Sequence, residues 1–209
     1  EAAHNNLGLV FEKLKEYIDA KNCFEKAIKV DPNYLIAYYN LGNVLKKLVK
    51  YKEAKASYQK VIEIQPNYAA AHNNLGLIFH ELGEFHKAKN CFEKAIQIQP
   101  NFLYAYNNLG ISLQELGEFQ RAITSYQKAI EIQPNYAAAY NNIGNVLKEK
   151  GDFKMAKTSY QKAIEIQPNY AAAHNNLGAL FQELKEREKA KNCFEKAIKV
   201  DPNYLTSYY

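Results

Sequence analysis

Four residue types recur in this sequence at one fixed step, and each could do chemistry. Asparagine stands at Asn6, Asn40, Asn74, Asn108, Asn142 and Asn176, each 34 residues from the last. Another asparagine precedes it at Asn5, Asn73, Asn107, Asn141 and Asn175, with Tyr39 the exception. An amide carries two N–H donors and a carbonyl acceptor, so a row of amides can pair with the C=O and N–H of a peptide backbone. Histidine recurs at His4, His72 and His174, but Tyr38, Tyr106 and Tyr140 fill the same place elsewhere. Tyrosine is a poor substitute for a metal ligand, so packing is preferred to a metal array, and no cofactor is expected. Cys23, Cys91 and Cys193 exchange with Ser57, Ser125 and Ser159. An odd number without a CxxC pair argues against disulfides and zinc. It fits the cytoplasm or another reducing intracellular compartment. Lys26, Lys60, Lys94, Lys128, Lys162 and Lys196 fall in last helical turns, where a cation suits the helix dipole; an anion-binding stripe is the weaker reading. No nucleophile, acid–base pair or phosphate loop stands out, so no enzyme is expected.

The elements that position these residues follow from the same step. Pro32, Pro66, Pro100, Pro134, Pro168 and Pro202 keep it, as do Gly8, Gly42, Gly76, Gly110, Gly144 and Gly178. A fixed period in this range marks a stacked repeat architecture. The units run 1–34, 35–68, 69–102, 103–136, 137–170 and 171–204, and residues 205–209 open a seventh. In the third unit Ala71, His72, Leu75, Gly76, Phe79 and Leu82 form one helical stripe. Gly83 breaks it, and Phe85, Ala88, Phe92, Ala95 and Ile96 form a second. Pro100 ends that helix, because proline cannot continue it. Each unit is therefore helix, turn, helix, turn, and stacking supplies the core that one short pair lacks. Numbering positions 1 to 34 within a unit, a helical wheel sets 5, 6, 9, 12 and 13 opposite a core stripe of 3, 4, 7, 11 and 14. Asparagine is a weak helix former, yet positions 5 and 6 lie mid-helix on the face expected to be open.

Composition narrows the class. The 209 residues are 47% hydrophobic and 23% charged, which is ordinary for a globular chain. No apolar run reaches the length of about 18 residues needed to span a membrane. The net charge of +5 is too weak to name a partner, and only Arg121 and Arg187 are arginines. Nucleic acid is not an expected partner: it calls for basic groove residues with stacking aromatics, and the open face offers mainly Tyr39 and Tyr104.

The unit resembles the tetratricopeptide repeat. The resemblance rests on a large residue at position 4, Leu-Gly at 7 and 8, an aromatic or Leu at 11, Ala at 20 and 27, an aromatic at 24 and Pro at 32. The first unit has His4, Leu7, Gly8, Phe11, Ala20, Phe24, Ala27 and Pro32; the fourth has Tyr106, Leu109, Gly110, Leu113, Ala122, Tyr126, Ala129 and Pro134. Val61 and Ile143 are small departures. The resemblance implies an all-α, right-handed superhelical solenoid whose concave groove is lined by first helices. The row at position 6 also resembles the asparagine ladder in the tetratricopeptide arm of O-GlcNAc transferases. Clamps of this family for acidic chaperone C-termini use Lys or Arg at positions 2, 5 and 6; none stands there, so that activity is not expected.

Units 1, 3 and 6 share His, Phe, Cys and Phe at positions 4, 11, 23 and 24, where units 2, 4 and 5 have Tyr, Leu, Ser and Tyr. Compensation of packed volume and recent duplication both account for this. Around the asparagines the groove varies at positions 2 and 9, and one edge runs from Lys13, Lys46 and Lys47 to Glu81, Glu115, Glu149 and Glu183. The preferred expectation is an interaction module that binds an extended protein or peptide through Asn6, Asn40, Asn74, Asn108, Asn142, Asn176, Asn73, Asn107, Asn141, Tyr39 and Tyr104. The alternatives are the substrate-recognition arm of a larger enzyme such as a glycosyltransferase, and a scaffold that self-associates end to end. A structural reading of the amides also stays open, in which they bond to the adjacent helix and fix repeat spacing.

Overall fold

The computed structural model describes residues 1–202. Among these residues the chain is all helical, in the order α1 (Ala2–Lys13), α2 (Tyr17–Val30), α3 (Leu35–Lys47), α4 (Tyr51–Ile64), α5 (Ala69–Glu81), α6 (Phe85–Ile98), α7 (Leu103–Glu115), α8 (Phe119–Ile132), α9 (Ala137–Glu149), α10 (Phe153–Ile166), α11 (Ala171–Glu183) and α12 (Arg187–Val200). The odd-numbered helices are the first helices of the sequence units. The expected opening of a seventh unit at 205–209 lies outside the described residues. The chain forms two compact bodies, one of residues 1–108 and one beginning at Leu109.

The turn within each pair is built at position 15. The backbone there is left-handed, with φ of 72°, 72° and 80° at Gly83, Gly117 and Gly151. The Gly83 N–H donates to the His80 carbonyl and the Glu84 N–H to the Phe79 carbonyl, at 2.9 and 2.8 Å. This pair of bonds satisfies carbonyls that the helix end leaves open. Lys15, Val49 and Lys185 make the same turn at φ of 63°, 59° and 61° without being glycine.

Helix pairs close on position 8. A Cβ on Gly42 would sit 2.6 Å from the Tyr58 ring, and one on Gly76 2.6 Å from the Phe92 ring. In the second body Gly144 meets Tyr160 in the same way, at 2.5 Å. The missing side chain is the space that the aromatic at position 24 occupies. Phe24, Tyr58, Phe92, Tyr126 and Tyr160 are fully buried there. The core is wider than the sequence stripe. Position 10 is buried too, at Val44, Ile78, Val146 and Leu180, and so is Ser112. A first helix meets both its own partner and a neighbouring pair, so its buried arc exceeds that of a surface helix.

Candidate functional site

Position 5 does not lie open. Asn5, Asn73 and Asn141 are 3%, 5% and 4% exposed, and Asn107 is also buried. The wheel set each first helix against its own pair alone; in the stack α1 also touches α3, and α9 touches α11. The position-5 amide rides in that contact. Tyr39, in the same place on α3, is half-buried, its ring 6.1 Å from Tyr58 and 5.3 Å from Tyr68.

Position 6 reaches back to position 5 of the preceding unit. Asn40 Nδ2 donates to Asn5 Oδ1, Asn108 Nδ2 to Asn73 Oδ1, and Asn176 Nδ2 to Asn141 Oδ1, each at 3.0 Å. Asn74 donates instead to Tyr39 Oη at 3.2 Å. Asn40 is buried, Asn74, Asn108, Asn142 and Asn176 are half-buried, and Asn6 is exposed. These bridges spend donors that the sequence reading reserved for a ligand.

Two further asparagines, at position 9, organise the site. Asn43 Oδ1 accepts from Tyr58 Oη at 2.8 Å and from Asn74 Nδ2 at 3.0 Å. Asn145 Oδ1 accepts from Tyr160 Oη at 2.9 Å and from Asn176 Nδ2 at 3.0 Å. Two accepted bonds fill the carbonyl lone pairs and fix the amide plane. Asn74 and Asn176 thereby commit both N–H groups and keep acceptor capacity at Oδ1. Among the described residues Nδ2 of Asn145 meets no acceptor, and Nδ2 of Asn43 lies beside the Tyr39 hydroxyl. Both asparagines are half-buried. Sequence reading placed position 9 among the variable groove residues. Its signal was a coincidence within the chain: asparagine occurs there only in units whose position 24 is tyrosine.

The fourth unit breaks the pattern. Tyr126 is buried like Tyr58 and Tyr160, but position 9 is Ile111, and among the described residues the Tyr126 hydroxyl has no partner. Burial, with Glu149 and Glu115 nearby, raises its pKa. Burial and Tyr68 raise that of Tyr39, against hydrogen bonds from Asn74 and Asn43. On the same face of α3, Lys46 is half-buried, and its pKa is lowered by burial and by Lys47 while Glu81 opposes. Tyr104 stands 59% exposed.

The remaining candidates have structural partners. The His72 and His174 rings donate from Nε2 to the carbonyls of Pro66 and Pro168, each at 2.9 Å, tying a first helix to the loop before it. Burial pushes the Cys91 thiol up to about 11 and raises that of Cys193 as well. A thiol so protonated is a packing group rather than a nucleophile. Among the described residues no helix is long and apolar enough to cross a membrane.

Comparison with known proteins agrees with this architecture. The crystal structure of YrrB, a TPR protein with an unusual peptide-binding site, matches with a TM-score of 0.63 at 28% identity, covering 87% of this chain and 94% of that one. The MamA crystal structure matches at 0.66 and 25%, covering 84% and 96%. PilF of Pseudomonas aeruginosa matches at 0.80 and 20%, covering 98% and 93%, a likeness of fold alone. Among curated proteins none matches the chain. Models of the tetratricopeptide repeat match residues 1–34, 33–101, 102–169 and 135–203, so the chain belongs to the tetratricopeptide repeat family.

Proposed function

We propose that residues 1–204 form six repeats of a protein-interaction module that binds a polypeptide in extended conformation along the first helices. One observation carries the reading: Asn43 and Asn145 are held by two accepted hydrogen bonds each, and among the described residues Nδ2 of Asn145 meets no acceptor. An orientation fixed in advance lowers the entropy lost when a ligand is bound. These groups donate to carbonyls of the bound backbone. The half-buried amides of Asn74, Asn108, Asn142 and Asn176 add their carbonyl oxygens as acceptors for its N–H groups. Asn40, Asn73, Asn107 and Asn141 act as spacers, exposed Asn6 offers its amide to the ligand, and Tyr39 and Tyr104 present rings to side chains. YrrB, similar along most of its length, is described as having a peptide-binding site, which supports the same use here.

The test is to replace Asn43 and Asn145 by Asp. Aspartate keeps an oxygen for the tyrosine and asparagine donors and exchanges the NH2 for an acceptor. Peptides selected from a random library on the intact chain should bind the double variant at least about tenfold more weakly, since each lost bond is worth about 1 kcal/mol and a carboxylate repels carbonyls. Unchanged affinity, with a helical spectrum and melting temperature like the parent, would remove the reading.

A further inference from the structure

The lysines at position 26 fall into two sets, and the division follows the residue at position 4. Where that residue is tyrosine, position 29 is Glu63, Glu131 or Glu165; where it is histidine, position 29 is Lys29, Gln97 or Lys199. Lys60, Lys128 and Lys162 pair with the three glutamates at 3.0, 2.6 and 2.7 Å. The pKa of Lys60 and of Lys162 is raised, first by the bond to Glu63 or Glu165 and further by Tyr38 or Tyr140 close by. In the tyrosine units the lysine is thus held by its own glutamate, with the position-4 ring beside it.

A histidine ring is shorter. His72 and His174 stop at the carbonyls of Pro66 and Pro168. A hollow then lies between the loop and the second helix. In the third unit Asn67, Lys94 and Gln97 line it, and Lys94 Nζ donates to Gln97 Oε1 at 3.0 Å. In the sixth unit the hollow measures about 550 Å³, and Asn169, His174, Lys196 and Lys199 line it. Among the described residues no carboxylate lines it, and Glu195, next to Lys196, lines a different hollow with Gln182 and Lys191. Neither Lys196 nor Lys199 makes an ion pair among the described residues. Residues three apart are neighbours on a helix, so the two ammonium groups repel, and an anion shared between them removes that repulsion. Asn169 is exposed and adds an NH2 donor. Two positive charges match a phosphate monoester, which carries about −1.5 to −2, and lysine binds phosphate as a point charge. A carboxylate would leave one ammonium unmatched. The C-terminal end of α12 disfavours an anion, but α11 begins at Ala171, two residues past Asn169, and its N-terminal end offsets that.

We propose that Asn169, Lys196 and Lys199 form a binding site for a phosphate monoester, with the His174 ring as its wall. The two Nζ groups donate to two phosphate oxygens and Asn169 Nδ2 to a third. A free phosphate ester and a phosphorylated side chain of a bound protein present the same oxygens. The site lies on a second helix and the loop between units, apart from Asn43 and Asn145 on first helices. It therefore stands independently of the peptide-binding reading.

The probe is inorganic phosphate, titrated into the isotope-labelled chain and followed by NMR at constant ionic strength, with chloride as the balancing anion. The Asn169 side-chain amide should shift saturably. Lys196→Gln with Lys199→Gln should weaken binding at least about tenfold, and Lys60→Gln should leave it unchanged. His174→Tyr, which puts into the hollow the ring that Tyr38 and Tyr140 carry in their units, should weaken it too. Gln97→Lys should give the third unit a second site, read at the Asn67 amide. Phosphoserine and a phosphoserine peptide separate the two sources: equal affinity marks a small ester as the ligand, and tighter binding of the peptide marks a modified protein. No saturable shift at Asn169, the same shift with chloride alone, or unchanged affinity in a normally helical double glutamine variant overturns the site.

Discussion

Removing one oxygen atom from three equivalent tyrosines should give effects of opposite sign. Tyr58, Tyr126 and Tyr160 are all fully buried at position 24, and Phe24 and Phe92 fill the same place completely buried. The phenylalanine ring therefore fits without rearrangement. In Tyr58→Phe and Tyr160→Phe the lost atom is the donor to Asn43 or Asn145, at 2.8 and 2.9 Å. A neutral hydrogen bond contributes about 1 kcal/mol, and the amide keeps its second donor, so each change should cost about that much. In Tyr126→Phe the lost atom is a hydroxyl with no partner among the described residues. Leaving such a group buried costs about 1–3 kcal/mol, so its removal should stabilise by about 1 kcal/mol or more. For a chain of this size 1 kcal/mol corresponds to about 2–4 °C in melting temperature. Repeat arrays can unfold in steps, so amide exchange in α8 and α9 should be followed beside the melt. Ile111→Asn offers the complementary change, since it supplies the acceptor that Asn43 and Asn145 supply elsewhere. If Tyr126→Phe destabilises as much as the other two, the hydroxyl has a partner and the reasoning about the fourth unit fails.

Two further predictions concern the backbone. Val49 is β-branched, 66% exposed and held at φ 59°. Val49→Gly should raise the melting temperature, because a left-handed backbone costs an L-residue about 1–2 kcal/mol and the side chain buries little; a lower melting temperature would count against strain at this turn. Gly76→Ala puts a methyl group 2.6 Å from the Phe92 ring, so it should destabilise by about 1–3 kcal/mol in chemical denaturation, and a neutral result would show that the ring can retreat.

The fold was legible because its signals repeat. Glycine at position 8 and proline at 32 recur without exception, and each has one physical cause: an aromatic ring lying against the bare Cα, and a helix that must stop. The site was legible only in part. The asparagines stood out because they are poor helix formers in mid-helix, but a wheel drawn for one helix pair cannot show the neighbouring pair that buries Asn73 and Asn141. The bridges Asn40–Asn5 and Asn176–Asn141 are contacts between side chains 35 residues apart, which helical periodicity does not encode. Asn43 and Asn145 were hidden for the opposite reason. They break the repeat, and a search for what recurs passes over what occurs twice.

The two kinds of lock differ in where their halves lie along the chain. Glycine 8 and its aromatic ring belong to the same unit, whereas an amide bridge joins one unit to the next. A gene segment of 34 codons that is copied or lost thus carries the first lock whole. The second lock is remade at the new junction, since asparagine stands at position 6 in every unit and its partner site accepts either asparagine or tyrosine. Units can be added, deleted or reordered with both halves of every lock still present. The length of the array is then free to change by recombination without a compensating substitution. The tyrosine 24 and asparagine 9 pair travels inside the unit as well, so that hydrogen bond can be inserted whole at a chosen place along the row.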